Sequence, residues 1–216
     1  MNNNYIPHLE QLEYLFRDVP NDLFEKGYTI IDQFISKESA AFLEERITQQ
    51  FESDRLKKAG IGTAHHHEIK DDVRGDYIRW IDNLNQPEEL QEYGHNINEL
   101  IHFMNKVCYA GVRDYEMHYT FYPEQTHYEK HIDQLKINGR RIWSFVLYLN
   151  SDWKPEDGGC LRIYTEDDQY KDFAPIAGRL ALFRSDTIPH EVLTVNQSRV
   201  SITGWMLNQK KELTFI

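Results

Sequence analysis

The chain has 216 residues, 40% of them hydrophobic and 13% aromatic, with a formal net charge of -11. That length and composition suit a globular fold with a well-buried core and exclude a disordered chain. The acidic balance, with no long Lys/Arg run, argues against nucleic acid or an anionic membrane as partner, and no stretch approaches the roughly 20 apolar residues of a membrane span. Cys108 and Cys160 are the only cysteines and form no C-x-x-C pair, so thiolate-built metal sites have no support. With no signal-peptide pattern at the start, a cytoplasmic setting is expected.

In chain order, Leu9, Leu12, Leu15 and Phe16 recur at helical spacing and predict a short amphipathic helix before Pro20. Residues 27–35, rich in β-branched and aromatic side chains, predict a strand opened by Gly27. Ser36 is a good N-cap for the next helix, whose apolar stripe is Ala40, Leu43, Ile47 and Phe51. Residues 52–72 are polar and include His65-His66-His67. Adjacent side chains cannot all converge on one ion, so a solvated loop is expected there. Tyr77, Arg79 and Ile81 alternate with Ile78 and Trp80 in a predicted strand over 73–81. Pro87, Glu88 and Glu89 start a helix whose apolar face is Leu100, Ile101, Met104, Val107 and Cys108, ending before Gly111.

From Tyr115 the pattern changes to short β runs at 116–122, 128–134, 142–150, 159–165, 179–183, 191–195 and 200–207. Turn residues separate them at Asn138-Gly139, 157–159, 176–178 and 196–198. Many short strands at this spacing predict a sandwich or barrel. The expectation is a single domain over 1–216 that is mainly β with a helical buttress. Its helix-rich part covers about 1–114 and its β core about 115–207.

His131 and Asp133 carry the chemistry. On a strand, residues two apart share a face, so an imidazole and a carboxylate would project together. A second imidazole, from the lone His190, would complete a two-histidine, one-carboxylate face for Fe(II), leaving three positions open. Two could take a bidentate 2-oxo acid and the third O2. A five-carbon 2-oxo diacid has a second carboxylate, which the planar fork of Arg199 suits better than a lysine. Taken singly, these residues are also consistent with a hydrogen-bonded His–Asp pair, core tyrosines and a surface arginine.

The full set resembles the Fe(II)- and 2-oxoglutarate-dependent dioxygenases, and among them the prolyl 4-hydroxylases, including the oxygen-sensing enzymes of animals and their bacterial relatives. The resemblance covers about residues 25–207. It rests on His131-x-Asp133, His190, Arg199, Tyr148-Leu-Asn150 with Asp152-Trp153, Gly158-Gly-x-Leu-Arg-Ile163, Pro189-His-Glu-Val192 and Val73-Arg-Gly-Asp-x-Ile-x-Trp-Ile81. It implies a double-stranded β-helix (jelly-roll) core, with iron on His131, Asp133 and His190. It places 2-oxoglutarate on Arg199 and Tyr148, with Tyr122 and Thr203 at the metal end of the pocket and Trp205 as its wall. It also places Arg141, Arg74 and Asp76 at the substrate entrance, beneath a cover formed by about residues 57–72. The implied reaction hydroxylates a proline in a protein or peptide, using O2 and releasing succinate and CO2, with ascorbate as an accessory reductant. By analogy with bacterial relatives, a translation elongation factor is one such substrate. Alternatives are oxidation of another side chain or a small metabolite, a catalytically silent jelly-roll binding module, and a non-redox cupin-like enzyme.

Overall fold

The computed structural model describes residues 9–63, 66–70, 72–82, 87–134, 139–165 and 169–209. Its first half contains α1 (Leu9–Leu15), α2 (Val19–Lys26), β1 (Tyr28–Ile31), α3 (Lys37–Glu52), β2 (Lys57–Lys58), β3 (Ile61–Thr63), β4 (His66–Glu68), β5 (Tyr77–Trp80) and α4 (Gln91–Val107). The second half contains β6 (Asp114–Tyr122), β7 (Tyr128–His131), β8 (Arg141–Tyr148), β9 (Leu161–Tyr164), β10 (Tyr170–Phe173), β11 (Leu180–Arg184), β12 (His190–Val192) and β13 (Arg199–Leu207). A large sheet runs β1-β11-β8-β13-β6-β5-β2 and a smaller one β10-β9-β12-β7. Every strand pairing in both is antiparallel. With helices against the large sheet, this is the double-stranded β-helix arrangement.

The strand pleat explains why central strands read as nearly continuous apolar runs. On β13, Val200, Ile202 and Met206 enter the large core shared with the helices, while Arg199, Ser201, Thr203 and Trp205 alternate with them and face the other way. On β6, Met117, Tyr119 and Phe121 face the helices, and His118, Thr120 and Tyr122 face inward. On β8, Phe145 and Leu147 join the helical core, whereas Val146 and Tyr148 pack with Leu161, Ile163 and Phe183 between the sheets. One face of each strand therefore builds the core and the other builds a cavity.

Several expectations are corrected. The strand expected over 27–35 is only Tyr28–Ile31, because Gly27 closes an unforeseen helix, α2, as a left-handed C-cap with φ 74°. Pro20 lies in the first turn of α2, where its missing N–H costs nothing. The predicted loop over 52–72 contains β2 and an antiparallel β3–β4 hairpin. His66 and His67 lie on β4, and His65 lies outside the described residues. The strand over 73–81 shortens to β5. The apolar stripe of the fourth helix is Tyr93, Ile97, Leu100 and Met104, preceded by buried Leu90 at the N-cap, while Val107 is exposed and Cys108 is the C-cap. The edge strand β10 was not anticipated, since its Tyr-Lys-Asp-Phe is mostly exposed and shows no apolar alternation. Ser36 does cap α3, accepting a hydrogen bond from the Ser39 amide at 3.2 Å. Among the described residues, no helix is long and apolar enough to cross a membrane.

Gly204, in the middle of β13, is where the large sheet tolerates no side chain. A Cβ there would lie 2.4 Å from both the Glu116 carbonyl oxygen and the Phe145 ring. Gly204→Ala is expected to cost about 1–3 kcal/mol by overpacking, measured as a lowered midpoint in urea at unchanged slope.

Candidate active site

β7 ends at His131, so Asp133 stands two residues past the strand's last residue rather than on its pleat. The turn carrying it is held by the Gln134 amide, which donates to the Ser185 carbonyl at 2.8 Å, and by the Gln134 side chain, which donates to the Arg141 carbonyl at 2.6 Å. β12 begins at His190, directly opposite His131 in the small sheet. The imidazoles are cross-strand neighbours with ring centroids 4.2 Å apart. His131 Nδ1 donates to the Glu129 carbonyl at 2.7 Å and His190 Nδ1 to the Ile188 carbonyl at 3.1 Å. These bonds fix both tautomers and turn both Nε2 lone pairs to one side. Each Nε2 faces the same carboxylate, at 3.5 Å from Asp133 Oδ1 for His131 and 3.7 Å from Oδ2 for His190. One ligand atom from each of the three residues lies within 4.8 Å of the others.

Protonation follows from these contacts. Burial pushes the His190 imidazole down to about 4, against the pull of Asp133. Burial also opposes the charge on Asp133, but the two imidazoles and the Ser144 hydroxyl outweigh it and hold the carboxyl well below its usual range. Ser144 donates to Asp133 Oδ2 at 2.6 Å and is itself 2.8 Å from the Ser185 hydroxyl. A neutral His190 and an ionised Asp133 are the forms that ligate a divalent ion, and two imidazoles with one carboxylate suit Fe(II).

The same cavity is lined by Arg199, Tyr122, Thr203 and Trp205. The Arg199 guanidinium is 3% exposed and lies 5.1 Å from the ring centroids of both Tyr122 and Tyr148. It makes a long hydrogen bond to Ser201 Oγ at 3.4 Å, and its Nε has no partner among the described residues. Among the described residues, no carboxylate pairs with it. The Tyr148 hydroxyl is also buried, with no hydrogen-bond partner among the described residues, and burial raises the phenol to about 12 against the pull of Arg199. A buried guanidinium and phenol left open to an anion fit the second carboxylate of a 2-oxo diacid. Gly159 makes room for this arginine: its φ is 69°, and a Cβ there would meet Arg199 Cδ at 2.9 Å.

The three residues expected at the entrance behave differently. Arg74 donates to both carboxylate oxygens of the buried Asp76, at 2.6 and 2.9 Å, and lies 4.6 Å over the Tyr128 ring. Both line the cavity. Arg141 is not in the cavity wall; it pairs with Glu116 at 2.7 Å and stacks 3.5 Å over Trp205. The sequence reading omitted Ser144, Trp80, His118 and Thr120. The last two were accessible in principle, since 118, 120 and 122 share one face of β6.

The family model of the 2OG-Fe(II) oxygenase superfamily matches residues 117–207, from β6 to the end of β13. The chain belongs to this superfamily. It is similar to a prolyl-4-hydroxylase of Pseudomonas putida, with 33% identity and a TM-score of 0.82 over 89% of this chain and 99% of that one. It is also similar to a prolyl hydroxylase of Trichoplax adhaerens solved with a hypoxia-inducible factor peptide fragment, at 26% identity and a TM-score of 0.83, covering 93% and 92%. A hypoxia-inducible factor prolyl hydroxylase of Caenorhabditis elegans is 30% identical over 213 residues, which take in 93% of this chain and 29% of the nematode protein. The chain thus spans less than a third of that curated relative's length.

Ser144 supports the Asp133 carboxylate and is not itself one of the three candidate ligands. Ser144→Ala should weaken Mn(II) or Fe(II) binding by roughly tenfold, read by anaerobic titration calorimetry, while the fold is retained.

Proposed function

We propose that this protein is an Fe(II)- and 2-oxoglutarate-dependent dioxygenase that hydroxylates a prolyl residue within a polypeptide. The observation that carries this reading is one cavity holding both the His131–Asp133–His190 cluster and a buried Arg199 with no acidic partner among the described residues. The likeness to prolyl hydroxylases over most of the chain supports the choice of substrate. Iron bound there, with 2-oxoglutarate and O2, supplies the chemistry that places one oxygen atom in a C–H bond and the other in succinate, with release of CO2.

The chain's own groups bind, orient and exclude water. His131, Asp133 and His190 would hold the metal through atoms that already lie together. Arg199 and Tyr148 would receive the far carboxylate of 2-oxoglutarate, the guanidinium supplying charge and the phenol a hydroxyl donor. Tyr122 and Thr203 border the metal end. Trp205 forms a wall, with Arg141 clamped over it by Glu116. Arg74 and Asp76 neutralise each other and make a rigid edge at the entrance, a framework for a peptide rather than a free charge that recruits it. Ascorbate would serve as an accessory reductant. A translation elongation factor is a first substrate to assay, and two free cysteines suit a reducing cytoplasmic setting.

The test is an assay of the protein reconstituted with Fe(II), 2-oxoglutarate and O2 against proline-containing polypeptides. Succinate should appear together with a one-oxygen mass gain on proline. Turnover without modified proline would redirect the substrate, and absence of succinate would overturn the enzyme. Arg199→Ala should weaken 2-oxoglutarate binding by about 2–3 kcal/mol, on the order of 100-fold in KM, with metal binding retained.

A further inference from the structure

The inner face of the large sheet carries a row of polar groups with a defined direction. Thr203 on β13 stands directly opposite His118 on β6, and His118 directly opposite Trp80 on β5. His118 is 1% exposed, and its ring meets Trp80 and Trp205 at centroid distances of 5.1 and 5.5 Å. Its Nδ1 lies 3.2 Å from the Tyr119 carbonyl oxygen and 2.9 Å from Thr120 Oγ1. A carbonyl oxygen can only accept, so the proton sits on Nδ1 and is shared between these two oxygens. Thr120 Oγ1, already accepting, directs its own proton to Thr203 Oγ1 at 3.2 Å. Thr203 is thereby supplied with a donor and keeps its own proton for another acceptor. Its side chain faces the cavity that holds Arg199 and the metal ligands.

We propose that His118 is a positioning residue: it sets the direction of the chain His118–Thr120–Thr203, so that Thr203 offers a hydrogen-bond donor to the carboxylate of a bound 2-oxo acid. The opposite tautomer would reverse every bond, leaving Thr203 to spend its proton on Thr120 and turn only lone pairs towards an anion. A donor supplied through a chain is also strengthened by its predecessors. Burial pushes the His118 imidazole down to about 4; Arg74 and Arg141 lower it too, while Asp76 and the Tyr119 carbonyl oppose. The ring is therefore neutral near pH 7 and can hold one tautomer. The inference rests on the 2-oxoglutarate reading above.

Two measurements test it separately from that reading. In nitrogen-15 NMR of the metal-free protein, His118 should show a protonated Nδ1 and a lone-pair Nε2, unchanged from about pH 6 to about pH 8. An Nε2-protonated ring overturns the chain whatever the protein binds. In anaerobic calorimetry on the Mn(II)-loaded protein, His118→Phe, which keeps a ring between the tryptophans, and Thr203→Val should each weaken 2-oxoglutarate roughly tenfold. The double variant should bind no more weakly than Thr203→Val alone, because both remove the same interaction. Additive losses, or unchanged affinity in His118→Phe, overturn the positioning role and leave the 2-oxoglutarate site standing. Wild-type protein that binds no 2-oxoglutarate overturns both.

Discussion

The Asp133 carboxylate sits between two imidazoles at the junction of the two sheets, where the Ser144 hydroxyl donates a hydrogen bond to it. His131 and His190 face its two oxygens from adjacent strands of the small sheet. Ser144 reaches it from the large sheet, backed by Ser185. A buried carboxylate without such partners would cost several kcal/mol or take up a proton. The Ser144–Asp133 hydrogen bond ties the turn after β7 of the small sheet to β8 of the large one, beside the apolar cluster packed between the sheets.

That constraint explains how residues are divided along the central strands. β6, β8 and β13 each send alternate side chains into the helical core and the others toward the cavity. A large apolar cluster on one face stabilises the sheet enough to carry polar groups on the other. His118 and Tyr148 are inner-face residues flanked in sequence by buried apolar ones, and Arg199 and Thr203 on β13 alternate with buried Val200 and Ile202. A one-residue slip of register would exchange these two sets. Bulk at Gly159 would crowd Arg199 as directly as bulk at Gly204 would crowd the sheet.

Much of this was legible in the chain. The metal face could be proposed because His131, Asp133 and His190 occur within a full set of motifs that resembles a known family, and Arg199 because the far carboxylate of a diacid needs a buried cation. The long apolar strands and the Ser36 cap followed from ordinary periodicity. What could not be read has specific causes. Asp133 reaches the site through a turn, so the strand argument that first linked it to His131 gave the right pair for an incomplete reason. β10 is an exposed edge strand stitched by the Arg162–Asp172 pair, which leaves no hydrophobic signal. His118 is a lone histidine in an apolar strand, and only its cross-strand neighbours reveal that its proton has a direction. Arg74 and Asp76, expected at the substrate entrance, form a bidentate pair with each other, which sequence spacing alone does not show.

The most direct test of the central claim, that one cavity binds metal and 2-oxo acid side by side, is visible spectroscopy during an anaerobic titration of Fe(II) into protein holding 2-oxoglutarate. The account predicts a charge-transfer band that needs both components, saturates at about one iron per chain and is lost in His190→Ala. Iron binding whose spectrum is indifferent to 2-oxoglutarate would contradict it.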